Sequence, residues 1–210
     1  MRNSAFFKAE CETDAFDPKL PFDFSEIEPA IFTIYLVWLA SNNIENAKEC
    51  IVVPEGLDRK ELQHQSFQKR LQLIQLYVLG EKLIDRSFKN QIMDNLVAHC
   101  RFAYEKFGAV DGLGNGARLV YEKTKSTSLL RRLVLENYFA TGSFADCKPR
   151  APGDKCVGDC AITEQFYLDL AKIGMRVVRE MRAAPLPPWD QHKCYYHDHN
   201  DQDEGYTCKN

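Results

Sequence analysis

The stretch Leu71 to Phe107, LQLIQLYVLGEKLIDRSFKNQIMDNLVAHCRFAYEKF, constrains the fold more than any other part of the chain. Its apolar residues recur at three- and four-residue steps in two series, separated by Ile84-Asp85-Arg86. That periodicity predicts two consecutive amphipathic helices meeting at a corner. In the first, Leu73, Leu76, Tyr77, Leu83 and Ile84 form the apolar stripe, while Gln72, Gln75, Glu81 and Lys82 fall mostly elsewhere. In the second, Phe88, Ile92, Leu96, Cys100, Tyr104 and Phe107 keep the same period, and Asp85 stands where a side-chain oxygen can cap the first free amides. Gly80 lies inside the first helix, where glycine costs about 1 kcal/mol relative to alanine. Either the backbone is closely approached there, or the helix tolerates the residue. Two such stripes need a third surface to cover them.

The segment AIFTIYLVWLA, Ala30 to Ala40, is apolar on nearly every side and is expected to be a helix buried over most of its surface. Pro29 suits its first turn, Ser41-Asn42-Asn43 ends it, and Trp38 reads as a core aromatic. Before it, Ser4 to Cys11 reads as a short helix capped by Ser4, and Leu20 to Phe24 as a short strand that Pro21 confines to an edge. After it, Ile44 to Arg70 reads as loop with some helix, with a brief strand in ECIVVPEG. The segment GAVDGLGNG holds four of the chain's 11 glycines and reads as a turn. It has neither the Gly-Lys-Ser/Thr of a phosphate loop nor dinucleotide-binding spacing. Ala117 to Lys123 and Ser128 to Ala140 read as helices whose Arg118, Lys123, Lys125, Arg131 and Arg132 form a solvated basic face. Ala145 to Asp159 reads as linker. Thr163 to Ala183 is a last helix, with Phe166, Leu170, Ile173 or Gly174, and Val177 or Val178 on its apolar stripe, ended by Pro185, Pro187 and Pro188.

Composition narrows the function classes. With 45% hydrophobic and 27% charged residues over 210 positions, the chain suits one main globular core plus appendages. A net charge of -3 provides no basic field for a phosphate backbone, so nucleic acid is not the expected partner. The opening MRNSAFFKAE lacks the apolar core of a secretory signal, and the longest apolar run falls short of a membrane span of about 20 residues. A cytoplasmic or nuclear location is therefore expected, and the eight cysteines are expected as thiols or metal ligands rather than disulfides.

The order SAFFKAEC, LPFDFSEIEPAIFTIYLVWLA, LIQLYVLGEKLIDRSFKNQIMDNLV resembles the later part of a BTB/POZ domain in the form found in many fungal proteins. The resemblance rests on the S-x-F-F start at Ser4 to Phe7, E-P-x-x-F at Glu28 to Phe32, W-L at Trp38-Leu39, and L-Y-V-L-G-x-K-L followed by D-x-x-F-K-N. Leu119 to Leu135 is similar to the R-L-x-Y-E-x-T and L-R-R-L segments of the helical extension that follows the domain. The family's first strands and first helix have no counterpart before Ser4. The resemblance implies a mainly α fold with an α+β remnant: a BTB/POZ-like part over 1–107, a helical extension over 108–144, a linker over 145–160, a helix over 161–184, and a Pro-rich turn with a Cys/His tail over 185–210. It further implies a non-catalytic protein–protein interaction module, an oligomerisation or ubiquitin-ligase adaptor component, with Phe6, Phe7 and Phe16 as interaction residues. Homodimerisation is implied as well, although the family makes that contact largely through the missing helix. The cullin-contact motif has only Ala15-Phe16-Asp17 as its counterpart.

The chemistry-bearing residues concentrate in the tail. Cys194, His197, His199 and Cys208 offer the thiolate and imidazole donors a tetrahedral zinc ion takes, at the non-standard spacing C-x2-H-x-H-x8-C. His197 and His199 alternate and would share a face of an extended strand. The competing reading is a polar tail with no metal. Cys147, Cys156 and Cys160 form a weaker second set. His99 and Cys100 are neighbours on a helix and point about 100° apart, so Cys100 reads as a core residue rather than a nucleophile. Asp94, Glu105, Glu122 and Glu136 read as scattered surface carboxylates, His64 and His192 as exposed, and Trp189 as a packing residue of the Pro-rich turn. A zinc-stabilised nuclear regulator is the alternative function. A small metalloenzyme would need an open coordination position beside a cleft.

Overall fold

A computed structural model of the chain describes residues 26–47, 50, 52–108, 113–141, 163–180 and 185–199. The described residues are mainly α, with six helices, 76% helical content and no strand. The expected helix at Ser4 to Cys11, the strand at Leu20 to Phe24, the linker, and the residues Phe6, Phe7 and Phe16 all lie outside them. The helices are α1 (Pro29–Ser41), α2 (Arg59–Lys82), α3 (Arg86–Phe107), α4 (Leu113–Lys123), α5 (Leu129–Thr141) and α6 (Glu164–Arg179). Short 3₁₀ turns occupy Ile44–Asn46, Pro188–Asp190 and Lys193–Tyr196. Two compact units divide within α3, one up to Ile92 and the other from Met93. No described helix is long and apolar enough to cross a membrane.

In the first unit, Asp85 organises the corner. Its Oδ1 accepts the Phe88 amide at 3.0 Å, capping α3 as the sequence predicts, and its Oδ2 accepts the Tyr35 hydroxyl from α1 at 3.1 Å. One buried carboxylate thus satisfies a helix terminus and ties α1 to the corner. Around it, the Phe88 ring meets Tyr35 and Trp38 edge-on, at centroid distances of 5.0 and 5.1 Å. Such pairs add about 0.5–1.5 kcal/mol each beyond the area they bury. At Gly80 the structure selects the close-approach reading. A Cβ there would stand 2.7 Å from Lys89 Cγ and 3.1 Å from Phe88 Cδ1, so α3 packs where a side chain would sit.

Three expectations for this unit change and two hold. Ile84 is not on the buried stripe: it is 61% exposed, with φ of +50°, because α2 stops at Lys82 and the chain reverses in a left-handed residue that turns the side chain outward. The stripe of α2 is wider than its period suggests, since Gln72, Ile74 and Leu79 are buried beside Leu73, Leu76 and Tyr77. In α1, Ile31, Ile34, Tyr35 and Trp38 are buried, and of Ala30 to Ala40 only Leu36 (48%) and Ala40 are exposed, so the helix is covered over most of its surface as expected. Ile44 to Arg70 combines loop and helix as expected: a 3₁₀ turn at Ile44–Asn46 and, from Arg59 behind the Asp58 cap, α-helix, with the Asp58 Oδ1 accepting the Lys60 and Glu61 amides at 2.9 and 3.0 Å. Residues 52–54 carry no strand.

In the second unit, α4, α5 and α6 pack mutually around Phe166, whose ring lies 5.5 Å from Tyr121 and 5.0 Å from Tyr138. Helix α4 starts at Leu113, so part of the glycine-rich segment expected as a turn is helical, and Gly108 (φ +75°) ends α3. Arg131 is structural rather than part of a solvated face, while Arg132 keeps a 45% exposed side chain. Arg131 donates to the carbonyls of Tyr121 and Thr124, where α4 ends with unpaired acceptors, and lies 4.5 Å over the Tyr121 ring. Tyr104 leaves the predicted buried stripe: it is half-exposed and stacks on Trp189 at 5.0 Å, giving Trp189 the packing role expected of it. Cys100 is buried, as a core residue should be.

Candidate metal centre

The tail returns onto the second unit through a side-chain network centred on Glu136 of α5. Tyr195 donates to its Oε1 at 2.9 Å, Tyr196 donates to its Oε2, and Arg132 pairs with it at 3.1 Å. The Arg132 guanidinium also lies 3.7 Å over the Tyr195 ring. Glu136 is 5% exposed, so the expected surface carboxylate is a buried hub that satisfies two phenols. Burial, reinforced by the hydrogen bond to Glu136, pushes both phenols above the usual tyrosine range. The anchored turn, Lys193–Tyr196, is capped by His192, whose Nδ1 accepts the Cys194 amide at 3.3 Å.

This turn sets the geometry of the predicted ligands. In a 3₁₀ turn, side chains at i and i+3 eclipse, and the His197 amide bonds back to the Cys194 carbonyl at 3.1 Å. The two-residue gap in C-x2-H therefore brings Cys194 and His197 to one side. His197 itself is extended (φ -89°, ψ 141°), so the residue two further on returns to the same side. The result is that the donor atoms of Cys194, His197 and His199 all lie within 4.8 Å of one another. Cys194 is partly buried and not in a disulfide, His197 buried, and His199 exposed. Cys208 and the set Cys147, Cys156, Cys160 lie outside the described residues.

Asp94 of α3 completes the arrangement. His197 Nε2 stands 2.8 Å from Asp94 Oδ1. In this pair the ring N–H donates and the carboxylate oxygen accepts, so Nε2 is the nitrogen engaged by Asp94 and Nδ1 is the other ring nitrogen. A carboxylate holding the outer nitrogen of a ligand imidazole is the arrangement that fixes its tautomer and raises its basicity toward a metal. In the sequence both Asp94 and Glu136 read as scattered carboxylates, and no local signal marks either one. Their partners are 103 and 59–60 positions away. Glu105 and Glu122 do behave as expected, in exposed i,i+4 pairs with Arg101 and Arg118.

No protein-family model, curated protein or solved structure matches this chain.

Proposed function

We propose that this chain is a non-catalytic protein–protein interaction module, with a BTB/POZ-type helical core in its first half and a binding face on its last described helix, α6. The observation that carries this reading is the outer side of α6. Leu168, Met175 and Val178 are 49%, 64% and 78% exposed, and steps of seven and three residues place them on one helical face. The half-buried stripe of Leu170, Ile173 and Val177 lies beside them, extending from the core residue Phe166. Large apolar side chains held in a row at the surface are what a partner protein covers. The clamp of Tyr35, Trp38 and Phe88 around Asp85 supports the BTB/POZ part, because it uses the W-L, D-x-x-F and glycine positions on which that resemblance rests.

The test is in-cell crosslinking of the full chain beside a variant carrying Leu168→Glu, Met175→Glu and Val178→Glu. All three side chains are exposed, so helical circular dichroism is expected to be unchanged while crosslinked partners are lost. Crosslinks that survive the triple substitution would overturn the reading. Light scattering on both proteins shows whether the partner is a second copy. The second reading, a zinc-stabilised nuclear regulator, is favoured by the Cys/His cluster. Imaging of a tagged chain confined to the cytoplasm would remove it.

A further inference from the structure

We propose that Cys194, His197 and His199 supply three ligands to one zinc-class divalent cation, with Asp94 as the positioning residue for His197. This goes beyond the interaction reading and stands whether or not α6 binds a partner.

The donor set selects the ion class. One thiolate sulfur and two imidazole nitrogens suit zinc and its first-row neighbours, whereas magnesium and calcium require oxygen ligands. Zinc lies about 2.3 Å from sulfur and about 2.0–2.1 Å from nitrogen, so a tetrahedral site needs its donors about 3.3–3.6 Å apart. Donors already within 4.8 Å reach that spacing by side-chain rotation, chiefly of the exposed His199. The rings of His197 and His199 have centroids 6.0 Å apart and are tilted by 52°, so they do not stack against each other and can converge on one ion.

The surroundings are built for a fixed position. The two residues between Cys194 and His197 are the tyrosines held by Glu136, so the backbone that spaces the first two donors is pinned before any ion arrives. His197 is oriented by Asp94 of α3 through its Nε2, 2.8 Å from the carboxylate oxygen. Asp198 adds another carboxylate next to the donors. Binding replaces the Cys194 S–H with an S–metal bond and releases its proton to solvent, with no change of oxidation state. The consequence is a tail locked by coordination among its own residues, with the His197–Asp94 hydrogen bond joining that cluster to α3 across 103 positions of sequence.

Cobalt is the probe. The full chain, stripped with a chelator and titrated with Co²⁺, is expected to take up one equivalent with a thiolate-to-cobalt charge-transfer band that Zn²⁺ displaces and Mg²⁺ does not. Cys194→Ser abolishes the band. His199→Ala, at an exposed position, weakens binding at least tenfold with unchanged circular dichroism, so the test survives if the cysteine variant misfolds. Asp94→Asn weakens affinity about 10–100-fold yet keeps the band at saturating cobalt, as expected of a group that acts through His197. Absence of the band, its persistence in Cys194→Ser, or unchanged affinity in His199→Ala overturns the site. Unchanged affinity in Asp94→Asn overturns the positioning role.

Discussion

The corner at Asp85 and the tail anchor at Glu136 solve one problem in two ways. Each is a buried carboxylate that accepts tyrosine hydroxyls from a distant segment: Tyr35 in the first unit, Tyr195 and Tyr196 in the second. Asp85 divides its oxygens between a backbone amide and a phenol, so it serves local and tertiary structure together. Glu136 spends both on side chains, with Arg132 one helical turn away sharing the charge. The difference shows how much of each device a helix would keep alone. An isolated corner would retain the Asp85 cap, whereas an isolated α5 would retain only the Arg132 pair, worth a few tenths of a kcal/mol.

Substitutions that separate the two devices follow from this contrast, and because the chain has two units each is best read by hydrogen exchange at amides of the affected unit. Glu136→Ala is expected to be the most damaging. It leaves the Tyr196 hydroxyl buried and unsatisfied at about 1–3 kcal/mol, removes the Tyr195 bond, and should lower protection in the tail by about 3 kcal/mol in all. Glu136→Leu with Tyr196→Phe should recover part of that loss, since the buried Tyr196 hydroxyl is removed along with its acceptor and only the partly exposed Tyr195 and Arg132 lose a partner. No recovery would mean the anchor depends on its charge.

Asp85→Ala should cost about 2 kcal/mol, about half from the lost cap and half from the orphaned Tyr35 phenol. Asp85→Asn retains much of the cap, and comparing the two splits the local share from the tertiary one. Gly80→Ala is expected to cost about 1–2 kcal/mol by forcing Lys89 and Phe88 away from α2, despite the better helix propensity of alanine. A stabilised Gly80→Ala protein would show that the close approach yields easily.

The smallest effect concerns the Tyr121 hydroxyl, which donates to Asp169 at 3.3 Å. Burial and the neighbouring Asp169 raise the phenol well above its usual range. For Asp169, burial acts upward but is outweighed by hydrogen bonds from Lys172, Gln165 and Tyr121, leaving its carboxyl lowered. The raised phenol contributes stability that is present below about pH 10 and lost above it, and the lowered carboxyl contributes stability present above about pH 4 and lost below it. Tyr121→Phe should therefore flatten both edges of the pH–stability profile by less than about 1 kcal/mol. A profile that moves at one edge only would assign the bond to a single titration.

What could be read in the sequence follows distance along the chain. The Asp85 cap, the Gly80 approach, the stripe beginning at Phe166 and the convergence of Cys194, His197 and His199 all depend on residues within one or two turns of each other, where period and spacing determine geometry. The start of α2 was also legible, since Asp58 with Glu61 three residues later has capping-box spacing; the polar composition beyond it obscured the signal. Asp94, Glu136 and Arg131 escaped notice for the opposite reason. A lone Glu or Arg on a helix surface looks the same whether it meets solvent or a tyrosine arriving sixty residues later, and only the path of the tail decides which. Ile84 misled because periodicity counts residues through a corner without registering that the helix has ended.

That isoleucine has a kinetic consequence. A β-branched residue held at φ +50° is disfavoured locally by about 1–2 kcal/mol, so the α2–α3 hairpin has no spontaneous tendency to bend at that point. The bend must be imposed by Leu83 and Asp85, its buried neighbours on either side, once α1 has come in to receive them. Ile84→Gly, which removes the local resistance, should accelerate refolding if closing this hairpin is the rate-limiting step.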